Sequence, residues 1–74
     1  MGTKNNPGQY DCYSKAEPDE PMFVLLARDP VAPILIRIWA ILAGFMEGKS
    51  AAKLAEAEWC AKEMTKWKED HPDH

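Results

Sequence analysis

The amino-acid sequence predicts a mainly α-helical protein: an antiparallel helical hairpin, preceded by an extended N-terminal arm and one short strand-like segment, that associates with copies of itself. Three observations predict this fold. Residues 1–21 are polar and rich in turn-forming residues, residues 22–27 form a short apolar run, and two later segments carry helix-start signals and helical spacing. We therefore expect a flexible arm at 1–21, a hairpin domain at 22–69 and an acidic, histidine-containing tail at 70–74.

The shortness of the chain is the reason to expect self-association. Its 74 residues form one domain that buries a small share of its surface. Small domains usually gain stability from disulfides, a metal or oligomerisation. Cys12 and Cys60 show no pairing pattern and follow no signal peptide, which favours a reducing cytoplasm, and the only histidines, His71 and His74, lie in the tail. Oligomerisation is the remaining source of burial.

Two tyrosines and a cysteine interrupt the polar arm, at Tyr10, Cys12 and Tyr13. Aromatic side chains in such an arm often hold it against a surface, and we expect these to pack on the hairpin. Tyr13 is also a candidate for contact with a ligand, which is the less favoured interpretation.

The apolar run at residues 22–27 lies between Pro21 and a charged turn at residues 28–30. A short run bounded by turn residues is typical of a buried strand, but no second strand is evident. Because unpaired backbone groups are costly to bury, the run must pair with the arm, pair with its copy in another subunit, or be an irregular extended segment. The second alternative makes Phe23 and Leu25 candidate interface residues.

The first helix is predicted to start between Pro30 and Pro33, with Asp29 as N-cap, and to continue to Met46. Arg37 is its only charged residue. One side carries larger apolar residues (Ile34, Ile38, Ile41, Leu42, Phe45) and the opposite side carries Ile36, Ala40 and Ala43. A helix that is apolar all round is buried on more than one side. We therefore expect one side to face the hairpin and Ile36, Ala40 and Ala43 to face another subunit.

A membrane-spanning role for this helix is disfavoured. The apolar stretch is short for a span of ~20 residues, and Arg37 near its centre would oppose insertion by about 3 kcal/mol. We expect no membrane partner.

The second helix is predicted at residues 51–69, after glycines within residues 44–49 end the first helix. Ser50 is its candidate N-cap. Leu54, Ala57, Ala61 and Met64 form an apolar stripe, flanked by Cys60 and Trp67. This amphipathic stripe predicts antiparallel packing on the first helix.

No set of residues predicts catalysis. The histidines are not placed to serve as a base for a nucleophile, and no glycine-rich phosphate loop lies between a strand and a helix. We expect no enzyme activity, no metal and no cofactor. The net charge of -3 also argues against general nucleic-acid binding, which depends on neutralising phosphates.

The second helix nevertheless carries a candidate ligand surface. Trp59 lies about 150° from the centre of the apolar stripe, and Lys62 and Lys66 follow on the same side. An exposed indole beside ammonium groups suits an aromatic base and its phosphate. The alternative, which we favour, is that Trp59 anchors a protein interface. Trp59 can serve both the ligand and the interface if ligand pockets form between subunits.

Two arginines are further candidates. Arg28 lies at the predicted helix start, where backbone N–H groups favour anions. Arg37 requires a polar partner because its neighbours are apolar. A structural role, as an ion pair within the fold or across an interface, is the favoured alternative for each.

The chain also resembles a widespread family of small phage and prophage proteins. The resemblance covers residues 15–67 and rests on the patterns D-E-P-x-F-V-L, D-x-x-A-P and R-x-W-A, followed by A-x-x-M-x-x-W. It implies an accessory protein acting in the cytoplasm of a bacterial host, often against a host defence. One mechanism is sequestration of a nucleotide-derived immune signal, such as a cyclic nucleotide. The other is inhibition or assembly of a host or phage protein that binds the apolar helix.

Overall fold

The computed structural model describes all residues from 1 to 74 and confirms that the protein is mainly helical. Its helices are α1 (Cys12–Lys15), α2 (Ala32–Leu42) and α3 (Ala51–Asp70), and a π-helical turn (Ala43–Glu47) extends α2. No strand is present.

The N-terminal end of α2 lies where the prolines predict it, but its cap differs from the prediction. Val31 occupies the N-cap position without a side-chain hydrogen bond, and Pro33 falls in the first turn. The Asp29 carboxylate accepts a hydrogen bond from the Val31 backbone N–H at 3.1 Å. Asp29 thus forms a turn that leads the chain into the helix, two residues before the observed N-cap, Val31.

The π-helical turn ends at a glycine that requires its own conformation. Gly48 has φ +62°, in the left-handed region that glycine adopts without steric cost, and its N–H donates to the carbonyl of Ala43. The chain therefore reverses here and enters α3 after two residues. Ser50 caps α3 as predicted, because its hydroxyl accepts from the Lys53 backbone N–H at 3.2 Å.

Small side chains form the core between α2 and α3. The buried residues of the whole chain are Ala32, Ala43, Ala57, Cys60 and Ala61, and no large side chain is fully buried. A Cβ placed on Gly44 would lie 3.0 Å from Leu54 Cδ1, so the two segments approach closely there as well. The predicted stripe of α3 does lie inward, with Ala57 and Ala61 at its centre.

The two sides of α2 are used in the reverse of the predicted manner. Ala43, a predicted contact with another subunit, is buried within the chain, and Ile36 and Ala40 are partly buried. The opposite side, with Ile38, Ile41 and other large residues, is exposed. The physical reason is that the alanine-rich side allows the closest approach to the alanines of α3.

The segment at residues 22–27 corrects the strand-like prediction. It has no strand partner and lacks regular structure, and of the two predicted interface residues Phe23 is exposed and Leu25 partly buried. Water can satisfy the backbone of an exposed segment, so no ladder is needed. Pairing with the N-terminal arm, the first alternative, is therefore absent, and within the chain the segment is irregular.

The N-terminal arm contacts α3 of the same chain. It contains α1, where only loop is expected, and it is joined to α3 through Glu56. This carboxylate accepts from the backbone N–H groups of Gln9 (2.9 Å) and Tyr10 (3.0 Å) and from the N-terminal ammonium (3.2 Å). Three donors on one carboxylate hold the arm against the middle of α3.

None of the helices combines the length and the apolar character that crossing a bilayer requires.

Candidate functional site

A groove of about 580 Å³ runs along one side of α3. Its walls come from residues 2–4, residues 26–28 and the side of α3 that extends from Trp59 to Asp70. These three segments are distant in sequence, and the contacts of Glu56 with Met1, Gln9 and Tyr10 hold the first of them near α3. The volume falls within the range of about 300–1,000 Å³ that is typical of small-molecule pockets.

The helical period selects which α3 residues line the groove. Trp59, Glu63, Lys66 and Asp70 follow at intervals of four, three and four residues, so their side chains project from one side of the helix. Lys62 does not line it, because it lies about 40° further round the helix than Lys66, away from the other residues.

Arg28 reaches the groove through the turn that precedes α2. In that turn the Asp29 backbone N–H donates to the Leu26 carbonyl at 3.0 Å. Leu26, Ala27 and Arg28 therefore form a continuous wall opposite the helix. Arg28 thereby lines the same groove as Trp59.

The groove collects three of the six predicted ligand residues, namely Trp59, Lys66 and Arg28. Lys62, Arg37 and Tyr13 lie elsewhere. The Arg37 side chain is 43% exposed, and its Nε donates to Glu58 Oε1 of the same chain at 3.3 Å. Its partner is thus on α3. Tyr13 is exposed on α1 rather than packed on the helices.

The charges of the groove are mixed and unpaired. Three cations (Lys4, Arg28, Lys66) and two carboxylates (Glu63, Asp70) line it, and none of them takes part in an ion pair. Cations without an ion-pair partner can bind an anionic group without first breaking an existing interaction. The carboxylates can accept hydrogen bonds from amino groups.

The two tryptophans of the groove differ in their surroundings. The Trp67 ring stacks on the imidazole of His71, with centroids 4.0 Å apart, and the His71 ring also contacts the Trp67 carbonyl. Trp59 is 48% exposed and takes part in none of the ring–ring contacts of the chain. Its indole is available to stack on a planar ligand.

Cys60 is the only cysteine that lines the groove, and the surroundings of its thiol disfavour reactivity. Burial raises the pKa of its thiol; the N-terminal ammonium acts in the opposite direction and Glu56 acts in the same direction as burial. Because the thiolate is the reactive form, a thiol with a raised pKa is a poor nucleophile at neutral pH.

Four charged or aromatic residues of the groove are not among the predicted ligand residues: Lys4, Glu63, Trp67 and Asp70. The last three have a detectable signal, because they follow Trp59 at four, eight and eleven residues and share its side of α3. Lys4 has no such signal, since its position depends on how the arm folds back.

No cluster of three or more histidine, cysteine or acidic side chains is arranged to hold a metal ion. Comparison of the chain with protein-family models, with curated proteins and with solved structures finds no match. The geometry of the groove and of the helix surfaces is therefore the basis for a functional proposal.

Proposed function

We propose that this protein binds and sequesters a nucleotide-derived signal without transforming it. The observation that carries the proposal is the presence of Trp59, Arg28 and Lys66 on one groove of about 580 Å³. An indole, a guanidinium and an ammonium group are the side chains that recognise a stacked base and its phosphates.

Each part of a nucleotide has a suitable counterpart in the groove. The free face of Trp59 suits a purine or pyrimidine base, with ~1–3 kcal/mol of stacking free energy per base. Arg28 offers a planar fork of donors to phosphate oxygens, and Lys66 offers a point charge. Glu63 can accept a hydrogen bond from a base amino group, as carboxylates do from cytosine. Neutral aromatic compounds and inorganic phosphate would each satisfy only part of this set.

The biological setting is part of the same proposal and rests on the resemblance to small phage proteins. We propose a counter-defence protein that acts in the cytoplasm of a bacterial host and lowers the free concentration of an immune signal. Its groove is lined by one chain, whereas the sequence predicts pockets between subunits. A single-chain groove would let each subunit bind a ligand independently.

The direct test is a panel of cyclic mononucleotides, cyclic dinucleotides and linear nucleotides, compared with inorganic phosphate and free nucleosides. We expect one nucleotide class to quench tryptophan fluorescence and to raise the melting temperature. At a ligand concentration of about 100 Kd the stabilisation is about 2.7 kcal/mol, which corresponds to roughly 11–22 °C at 4–8 °C per kcal/mol. Chromatography should then recover the ligand unchanged.

Two results would count against the proposal. Unchanged fluorescence and unchanged melting temperature across the panel would remove the proposed ligand class. Conversion of the ligand to a new product would replace sequestration with catalysis.

The proposal also includes an antiparallel hairpin that self-associates. Two contacts support the antiparallel arrangement: Arg37 pairs with Glu58, and the Lys53 ammonium lies 5.9 Å from the Trp39 ring centroid. As residue numbers rise along α2, those of the partners on α3 fall. The small core supports self-association, because a domain of this size gains burial by oligomerisation.

An alternative function is inhibition or assembly of a host or phage protein through the apolar helix. The exposed large residues of α2 favour it, since contiguous apolar surface marks protein contacts. Retention of one host or phage protein on the immobilised chain, lost when this surface is made polar, would support it. Self-association through the same surface would compete with such a partner.

A further inference from the structure

One side of α2 has no partner in the chain although it is apolar throughout. It consists of Ile34, Ile38, Ile41 and Leu42 and continues to Phe45 in the π-helical turn; we call it the outer face, and all of these residues are exposed. They lie at helical spacing on the side opposite to the buried Ala32 and Ala43. Arg37, the only charged residue of α2, is drawn to the flank by Glu58. The outer face therefore contains no charge.

The accessible surface of the chain is large for its mass. A folded monomer of 8.4 kDa is expected to expose about 4,600 Å², whereas this chain exposes 5876 Å². The excess of about 1,300 Å² exceeds the ~800 Å² that each partner of a standard interface buries. One interface of ordinary size would remove more than half of this excess.

From these observations we infer that the outer face of α2 is a homodimer interface on which α2 of a second copy lies. A twofold dimer places the same surface on both sides, so each charge on the surface would meet a like charge close to the axis. The outer face avoids this penalty because it carries no charged residue. The side chains of the outer face are also large and apolar. The core of the single chain is built from alanines and leaves these larger side chains exposed to water.

This inference rests on the proposed self-association and is independent of the proposed ligand. The groove lies on α3 and residues 2–4 and 26–28, and no residue of the outer face lines it. A dimer through the outer face would thus leave both grooves open. Dimerisation and ligand binding can fail separately in experiment.

The test compares the mass of the full chain with that of an outer-face variant by sedimentation equilibrium at micromolar to high-micromolar concentrations. The variant is Ile41→Glu with Phe45→Glu, at the positions that are 71% and 90% exposed, so the single chain does not need them for its own packing. We expect the wild type at twice the 8.4 kDa chain mass and the variant at the mass of one chain. Two unpaired carboxylates from each subunit should weaken association by about a hundredfold or more.

Two further variants control the experiment. Ile41→Gln with Phe45→Gln removes apolar area without adding charge, and should also weaken the dimer while circular dichroism shows an unchanged helix content. Phe23→Glu adds a charge at another exposed apolar residue, outside α2, and should leave the dimer intact.

The outcomes separate the two proposals. A wild-type chain that sediments as a monomer overturns the dimer, and so does a monomeric chain that retains a different protein on this face. A dimer that both outer-face variants preserve, or that Phe23→Glu alone dissociates, overturns the assignment of the face. In each case nucleotide binding to the groove is measured separately, and that measurement alone supports or refutes the proposed function.

Discussion

Two lysines of α3 provide a matched test of the groove, because both are predicted ligand residues and only one lines it. Lys66 faces the groove and Lys62 does not, although the two are four residues, or ~6 Å, apart along the helix. Replacing either with alanine removes the same charge from the chain. The two variants therefore differ in the position of the lost charge and not in its amount.

The expected magnitude follows from the exposure of the groove. A hydrogen bond to a charged group contributes ~1.5–3 kcal/mol, and solvent at this open site favours the lower limit. Lys66→Ala should thus weaken nucleotide binding by about tenfold, since ~1.4 kcal/mol corresponds to a factor of ten. Lys62→Ala acts only through screened long-range attraction, with a Debye length of ~8 Å at physiological salt, and should change Kd by about twofold or less.

Isothermal titration calorimetry is the suitable assay, because it does not depend on the fluorescence of Trp59. Trp59→Ala should reduce the affinity by about fivefold or more, consistent with the ~1–3 kcal/mol of base stacking. Equal effects of the two lysine variants, or a larger effect of Lys62→Ala, would show that the groove is not the ligand site. Identical circular dichroism spectra of the variants would exclude a folding defect as the cause.

Three predictions concern the fold that builds the groove. Partial burial opposes ionisation of Glu56, but the backbone N–H groups of Gln9 and Tyr10 and the N-terminal ammonium outweigh it and hold the pKa of this carboxyl below its ordinary value of 4.5. The contribution of the Glu56 carboxylate to the free energy of unfolding is therefore complete above pH 4.5 and is lost as the pH falls through the lower folded-state pKa. Glu56→Gln should thus reduce the loss of stability between neutral and acidic pH. The same variant should speed amide hydrogen exchange in residues 9 and 10. Ser50→Ala should lower the unfolding free energy in urea by ~1 kcal/mol and Ser50→Gly by only a few tenths, whereas equal losses would contradict a capping role. Ala61→Leu should destabilise by about 1–3 kcal/mol in thermal melts because its site has no free space, and an unchanged melting temperature would contradict close helix packing.

Local chemistry in the sequence was sufficient to predict where the helices start. Pro33 is tolerated only in a first turn, and the Ser50 hydroxyl satisfies a backbone N–H that the helix itself cannot. Both effects act over three or four residues. The helix starts can therefore be predicted without knowing the rest of the fold. The same is true of the inward-facing stripe that contains Ala57 and Ala61.

The tertiary structure alone decided how these helices are used. Because α2 is apolar all round, its hydrophobic pattern does not distinguish the inner side from the outer one, and the close approach permitted by alanine selects the side with Ala32 and Ala43. The meeting of Lys4 with Trp59 likewise depends on Glu56 binding an arm some forty-six residues away, and Arg28 joins them from the turn before α2. Contacts at such separations follow from packing in three dimensions, which no local pattern in the sequence encodes.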